Sequence, residues 1–148
     1  LGQQGKPLVM YKLRSMILNA ESGQNSKEPR WASEDDERVT GIGKWLRSTH
    51  LDETPQFWQV LRGEMSMVGP RPERPDFYAY LVSTLPDFAK RLQIKPGITG
   101  WAQINLGYAN TVSITSIKLS YDLYWASHQS LKLYLLIIWR TLPHLFRL

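Results

Sequence analysis

The thirty residues Ser48–Phe77, "STHLDETPQFWQVLRGEMSMVGPRPERPDF", hold two adjacent acids, a short helical pattern, a glycine stop and a proline-stiffened basic loop. Asp52 and Glu53 stand just ahead of 54–61, where Phe57, Trp58, Val60 and Leu61 recur at a spacing that predicts a short helix. Gly63 sits where helices usually stop, and 65–69 follows as an extended segment or brief strand. In "VGPRPERP", 68–75, three prolines fix three φ angles, so Arg71 and Arg74 project from a stiff backbone. Arginine forks match phosphate oxygens in pairs, and a preordered loop loses little entropy on binding. Pro72 belongs to this frame, and Glu73 can pair with an arginine or assist a metal.

Each feature has a plain reading beside the chemical one. Asp52 is a good helix N-cap, Glu53 suits a first turn, and Pro55 is tolerated there. An ionised carboxylate at that point is also a plausible nucleophile toward phosphorus, forming an acyl phosphate. Its neighbour can then hold Mg²⁺, which takes oxygen ligands alongside substrate phosphates. The proline loop reads equally as a polyproline surface turn. The pair alone decides nothing.

Working outward, 8–11 is a β-like run that continues to Met16, and 22–37 is a long polar loop with Trp31 as its one anchor. Residues 39–46 are expected to open a short helix packed through Ile42, Trp45 and Leu46. A helix is expected over 76–93, broken near Pro86, and "KPGITGWAQIN", 95–105, reads as turns and then a strand. Within it Lys95, Thr99 and two glycines offer an anion site, although an ordinary turn explains them as well. Helices follow over 116–125 and from Ser130 onward, the last ended or kinked by Pro143. The expected fold is one helix-rich α+β domain over 1–148, with a few short strands at the turns.

Composition narrows the classes. There is no cysteine, so disulfides and thiolate metal sites are excluded, and the three histidines lack zinc spacings. No Gly-x-Ser-x-Gly, Walker or dinucleotide fingerprint is present. The net charge is +5, and the last 48 residues carry four basic groups against one acid, Asp122. That balance suits anionic headgroups or phosphorylated substrates. Nucleic acid is disfavoured, because no dense Lys/Arg cluster occurs. Asp122 is either an ion-pair partner or a further metal- or phosphate-site group. The longest apolar run, 133–139, falls well short of the ~18–20 residues of a spanning helix.

In order, "GKPLVMYKLRSM", "DDERVTGIGKWLRSTHLDETPQFWQVLRGEMSMVGPRPERPDF", "KPGITGWAQIN" and "KLSYDLYW" resemble the bacterial sugar transferase family, the monotopic polyprenyl-phosphate phosphoglycosyl transferases. The resemblance implies transfer of a sugar-1-phosphate from a nucleotide sugar, usually a UDP-sugar, to undecaprenyl phosphate, with release of UMP. It implies Asp52 as nucleophile, Glu53 as the Mg²⁺ partner, Arg71 and its neighbours as the phosphate- and nucleotide-binding loop, and Asp122 at the family's later acidic position. It further implies the cytoplasmic face of the inner membrane and a role in starting polysaccharide or glycoconjugate assembly. Relatives of this kind begin with a membrane re-entrant segment, which would precede Leu1. Between Asn110 and Asp122 no acid occurs where many relatives carry one, which bears on sugar choice. In the last helices Trp125, Trp139 and Arg140 then suit a membrane interface, as they would also suit a core helix. A catalytically silent membrane-binding module and a phosphate-ester hydrolase are the rival functions.

Overall fold

Two three-residue parallel strands sit at the centre, β1 (Ser66–Val68) and β2 (Gly97–Thr99), with Ser66 opposite Gly97 and Val68 opposite Thr99. The computed structural model describes residues 1–18, 20, 36–106 and 112–145. Trp31 and most of the polar loop around it lie outside them, as do Phe146 and Arg147. A pair of strands this short is marginal alone, so the helices must cover it. α5 (Val112–Ser127) and α6 (Leu131–Leu145) do so, burying Val68 against Trp125 and Ile137. A second cluster joins α3 (Pro75–Thr84), the 3-10 segment Pro86–Gln93 and α5 through Phe77, Leu81, Phe88 and Leu119. Helix-rich α+β therefore holds, and the break at Pro86 is present.

Past Val68 the chain does something a sheet rarely permits. Gly69 crosses over the face of Gly97, and its N–H donates to the Thr99 carbonyl at 2.8 Å, while the Gly97 N–H donates to the Pro70 carbonyl at 3.0 Å. Both groups belong to the edge of β2 that faces away from β1, since the Pro96 carbonyl in the same peptide plane as the Gly97 N–H accepts from Ser66. The crossing launches the Pro70–Pro75 loop from a fixed point.

Several expectations change. α1 (Gly41–Ser48), capped by the Thr40 hydroxyl, does not pack through Ile42 and Trp45, which are 75% and 55% exposed. Its buried residue is Gly43, where a Cβ would clash with the Ser15 backbone, so helix and extended segment meet main chain to main chain. The run 8–16 is extended yet forms no strand beyond a Met16–Val39 bridge. Instead Gln59, on α2 (Gln56–Leu61), acts as its ladder: the amide donates to the Val9 carbonyl at 2.7 Å and accepts from the Tyr11 N–H at 3.1 Å. Finally, 101–105 is helical, not a strand, within α4 (Trp101–Leu106), because Trp101 and Ile104, one turn apart, both pack on the Trp125–Ile137 cluster. α6 also runs on to Leu145 through Pro143; the bond lost there belongs to the Trp139 carbonyl on an exposed stretch, where water can serve it.

Candidate functional site

The acids lie in a 3-10 turn, Leu51–Glu53, entered through His50 in a left-handed conformation (φ 55°, ψ 15°). Both are buried, Asp52 to 7% and Glu53 to 9% exposure. The helix-cap reading of Asp52 fails on geometry, since neither this turn nor α2 is capped by a side chain. Its backbone carbonyl accepts from the Leu13 N–H at 2.9 Å, but among the described residues its carboxylate makes no hydrogen bond or ion pair. The residue is buried as a whole, but its carboxylate oxygens are not among the sealed, unpartnered atoms, so they stay accessible, as a group that must bind or react requires.

Glu53 is the opposite case. Its Oε1 takes the Arg71 Nη2 at 2.6 Å and the Lys12 ammonium at 2.7 Å, and its Oε2 takes the Arg71 Nη1 at 3.3 Å. Burial pushes the Glu53 carboxyl up, but Arg71 and Lys12 outweigh it and hold it down at about 2. Burial and the Glu53 charge push Asp52 upward, against the pull of Lys12, Arg47 and His50. The adjacent acids thus differ in kind: one is clasped and firmly ionised, the other is open and surrounded by cations.

Several elements meet to build this. Gln59 pins the extended segment that brings Lys12 onto Glu53. The Arg47 Nε donates to the Ser15 hydroxyl at 2.9 Å, tying α1 to the same segment. Arg71 descends from the proline loop, which holds Pro72 half-buried and Arg74 exposed at the start of α3. Glu73 turns away from the acids and pairs with Lys118 at 3.0 Å and Arg91 at 3.5 Å. Asp122 is buried opposite Arg91 at 2.8 Å, which is the ion-pair alternative of the two open for it.

Thr99, Lys95, Trp125, Trp139 and Arg140 are not at the acids either. The Thr99 hydroxyl is shared with Thr141 at 2.7 Å and ties β2 to α6. Lys95 precedes β2 with its carbonyl packed against Gly69, while its side chain is exposed on an open groove of about 640 Å³ beside Trp125 and Tyr134. Trp125 is 5% exposed and belongs to the core, whereas Trp139 is 72% exposed and the Arg140 guanidinium lies 5.9 Å over the Trp101 ring. Conversely, Lys12, Arg47, His50 and Arg91 were not singled out from the sequence. Arg47 carried a readable signal: it lies four residues after Gly43, on the one face of α1 that approaches the chain.

The ionised state of Glu53 has a thermodynamic consequence. A carboxyl held at about 2 against an ordinary 4.5 stabilises the fold above pH 4.5 and loses that contribution as pH falls toward 2. For so buried a group the loss is about 3 kcal/mol. Urea unfolding at pH 7, 4 and 3 should show it. Glu53→Gln should flatten the acid limb without abolishing it, because Asp36, held at about 2 by Arg38, adds its own share.

A clasped acid and an open acid thus lie together with the cationic groups of Lys12, Arg47 and Arg71. The sequence model of the family described as "Bacterial sugar transferase" matches residues 1–148, and the chain belongs to that family. It is 39% identical over 142 residues to the UDP-N-acetylgalactosamine-undecaprenyl-phosphate N-acetylgalactosaminephosphotransferase of Aeromonas hydrophila, covering 96% of this chain and 33% of that protein. It is 42% identical over 142 residues to the UDP-glucose:undecaprenyl-phosphate glucose-1-phosphate transferase of Klebsiella pneumoniae, covering 95% and 30%. A putative undecaprenyl-phosphate N-acetylgalactosaminyl 1-phosphate transferase of Bacillus subtilis is 48% identical over 92 residues, covering 62% and 49%. The chain spans about a third of the length of the first two.

Proposed function

We propose that the protein transfers a sugar-1-phosphate from a UDP-sugar to undecaprenyl phosphate through a covalent intermediate on Asp52. The observation that carries this reading is the buried, unpartnered Asp52 carboxylate beside an acid clasped by Arg71 and Lys12. The relatives' names supply the substrate class. An Asp52 oxygen attacks the phosphorus that bears the sugar, that phosphorus parts from the bridging oxygen, and UMP leaves with the bond's electrons. An oxygen of the lipid phosphate then attacks the same phosphorus and returns the carboxylate. Splitting the transfer keeps two anionic substrates from having to meet directly, and Arg71, Lys12 and Arg47 offset the charge that gathers.

The donor set suits Mg²⁺, a cation that takes oxygen ligands: two adjacent carboxylates, Glu53 held ionised and Asp52 without a side-chain partner among the described residues. Asp52 and Glu53 would hold it, Glu53 exchanging one of its present cations. Bound there, the ion would neutralise phosphate charge. Contact with the cytoplasmic face of the inner membrane is part of the proposal. No described helix is long and apolar enough to cross a membrane, but α1, α2 and α6 present Ile42, Trp58, Leu61, Leu131 and Trp139 to solvent.

Incubating the full-length protein with UDP-sugars and no lipid acceptor should leave a sugar-phosphate adduct on Asp52, located by mass spectrometry, with one equivalent of UMP released. EDTA should prevent it and added Mg²⁺ restore it. Vesicle binding with neither adduct nor turnover would instead identify a silent membrane module, and free sugar phosphate as the only product a hydrolase.

A further inference from the structure

We propose that Arg91, with Asp122 as its counter-ion, is a positioning residue that holds the Arg71 backbone so that the Arg71 fork meets Glu53. This rests on the site reading above and extends it to a pair of side chains remote in sequence from the acids.

The pair is nearly dry, each side chain 3% exposed, and the Arg91 Nη2 lies 2.8 Å from the Asp122 Oδ2. Buried ion pairs are seldom retained for stability, since apolar replacements of similar volume are often neutral or better. How this one is arranged says what it is for. The Arg91 Nη2 donates at 2.8 Å to the Arg71 carbonyl while lying 2.8 Å from the Asp122 Oδ2, and the buried Arg91 Nε donates to nothing. One guanidinium nitrogen therefore serves both the counter-ion and the loop carbonyl. Its Nη1 reaches Glu73 Oε1 at 3.5 Å, the same oxygen that Lys118 holds, so the loop is gripped on both sides of Pro72. The Phe88 ring, 4.7 Å from Arg91 Cζ, supports the guanidinium face. Prolines restrict φ but leave ψ free, so the stiffness of the loop does not by itself aim Arg71. Arg91 supplies the missing constraint.

Arg91→Lys keeps a positive charge for Asp122, but a single nitrogen cannot reproduce the fork that also reaches the Arg71 carbonyl. In the full-length enzyme this variant is expected to unfold cooperatively and to lose about 10²-fold in kcat. Arg71→Ala is expected to lose at least as much. The deciding readout is the double variant. If Arg91 acts through Arg71, adding Arg91→Lys to Arg71→Ala costs under about 3-fold more; independent effects would multiply. Multiplying losses, or full turnover in Arg91→Lys while Arg71→Ala is impaired, overturn the inference and leave the site reading standing. Full turnover in Arg71→Ala sinks the site reading itself. Should Arg91→Lys not fold, Asp122→Asn enters the same cycle, and failure of both to fold assigns the pair to structure alone and overturns the proposal.

Discussion

Asp52→Asn should leave a protein that is folded, more heat-resistant than the parent and at least about 10³-fold slower in UMP release. The two halves of this expectation come from one fact. The Asp52 carboxylate is buried beside Glu53 with no partner among the described residues, so its charge is disfavoured where it stands. A carboxyl whose folded pKa is raised lowers stability at every pH where it must ionise, and the neutral, isosteric amide removes that cost. The amide also cannot attack phosphorus, so the gain in stability and the loss of turnover arrive together. Ordinary caps behave otherwise: replacing a capping Asp by Ala costs about 1 kcal/mol. Asp52→Ala, which here removes no cap, should therefore match the parent in thermal unfolding or exceed it. Near-normal turnover in Asp52→Asn would refute the nucleophile assignment, and a lowered melting temperature would refute the account of its environment.

The fold was legible where local signals and burial agree. Gly63, with φ 74°, stops α2 as its position suggested, and Pro86 breaks the helical run as its ring requires. Faces were harder to read. On α1 and α2 the apolar residues Ile42, Trp45, Phe57, Trp58 and Leu61 point outward, because the buried face is made by Gly43, Gln56 and Gln59, which a hydrophobic-period argument counts as polar or neutral. Gln59 in particular replaces a strand by a side-chain amide, and no pattern of residue types announces that. Trp101–Leu106 misled for a related reason: after two glycines and a Thr the run looks extended, and only the tertiary packing of Trp101 and Ile104 on α5 and α6 decides for helix.

At the site, the acids and Arg71 are adjacent in space, in keeping with the roles that the family resemblance implied for them. Lys12 and Arg47 belong to segments whose approach depends on long-range contacts with Gln59 and Ser15, so a reading from Ser48 to Phe77 alone could not include them. Thr99 misled because a hydroxyl near two glycines looks like an anion site, whereas its neighbour in space is Thr141 of a helix forty-two residues later. Asp122 was left between two roles that only its partner could separate, and that partner is Arg91.

Gly97→Ala should be among the most damaging single methyls at the described glycines. A Cβ at this position would sit 2.5 Å from the Thr99 carbonyl oxygen and 2.7 Å from the Gly69 Cα, and nearer still to the Gly69 nitrogen. Every one of these atoms is main chain, so no side chain can swing aside to make room. The φ of Gly97 is not in the left-handed region, so the residue is required for closeness alone. To admit the methyl the crossing strand must lift, and lifting it breaks the Gly69-to-Thr99 and Gly97-to-Pro70 hydrogen bonds that fix where the proline loop begins. Overpacking a well-filled interior costs about 1–3 kcal/mol even when side chains yield, so an unyielding backbone should cost more, against a total of about 5–15 kcal/mol for a typical domain. The expected result is a drop in urea midpoint well beyond that of Gly41→Ala, whose added methyl meets nothing within 4 Å. Whatever protein still folds should have lost the Arg71 grip on Glu53, and with it the acid-limb slope that this contact creates. A Gly97→Ala protein with parental stability and an unchanged acid limb would show that the crossing neither packs this tightly nor aims the loop.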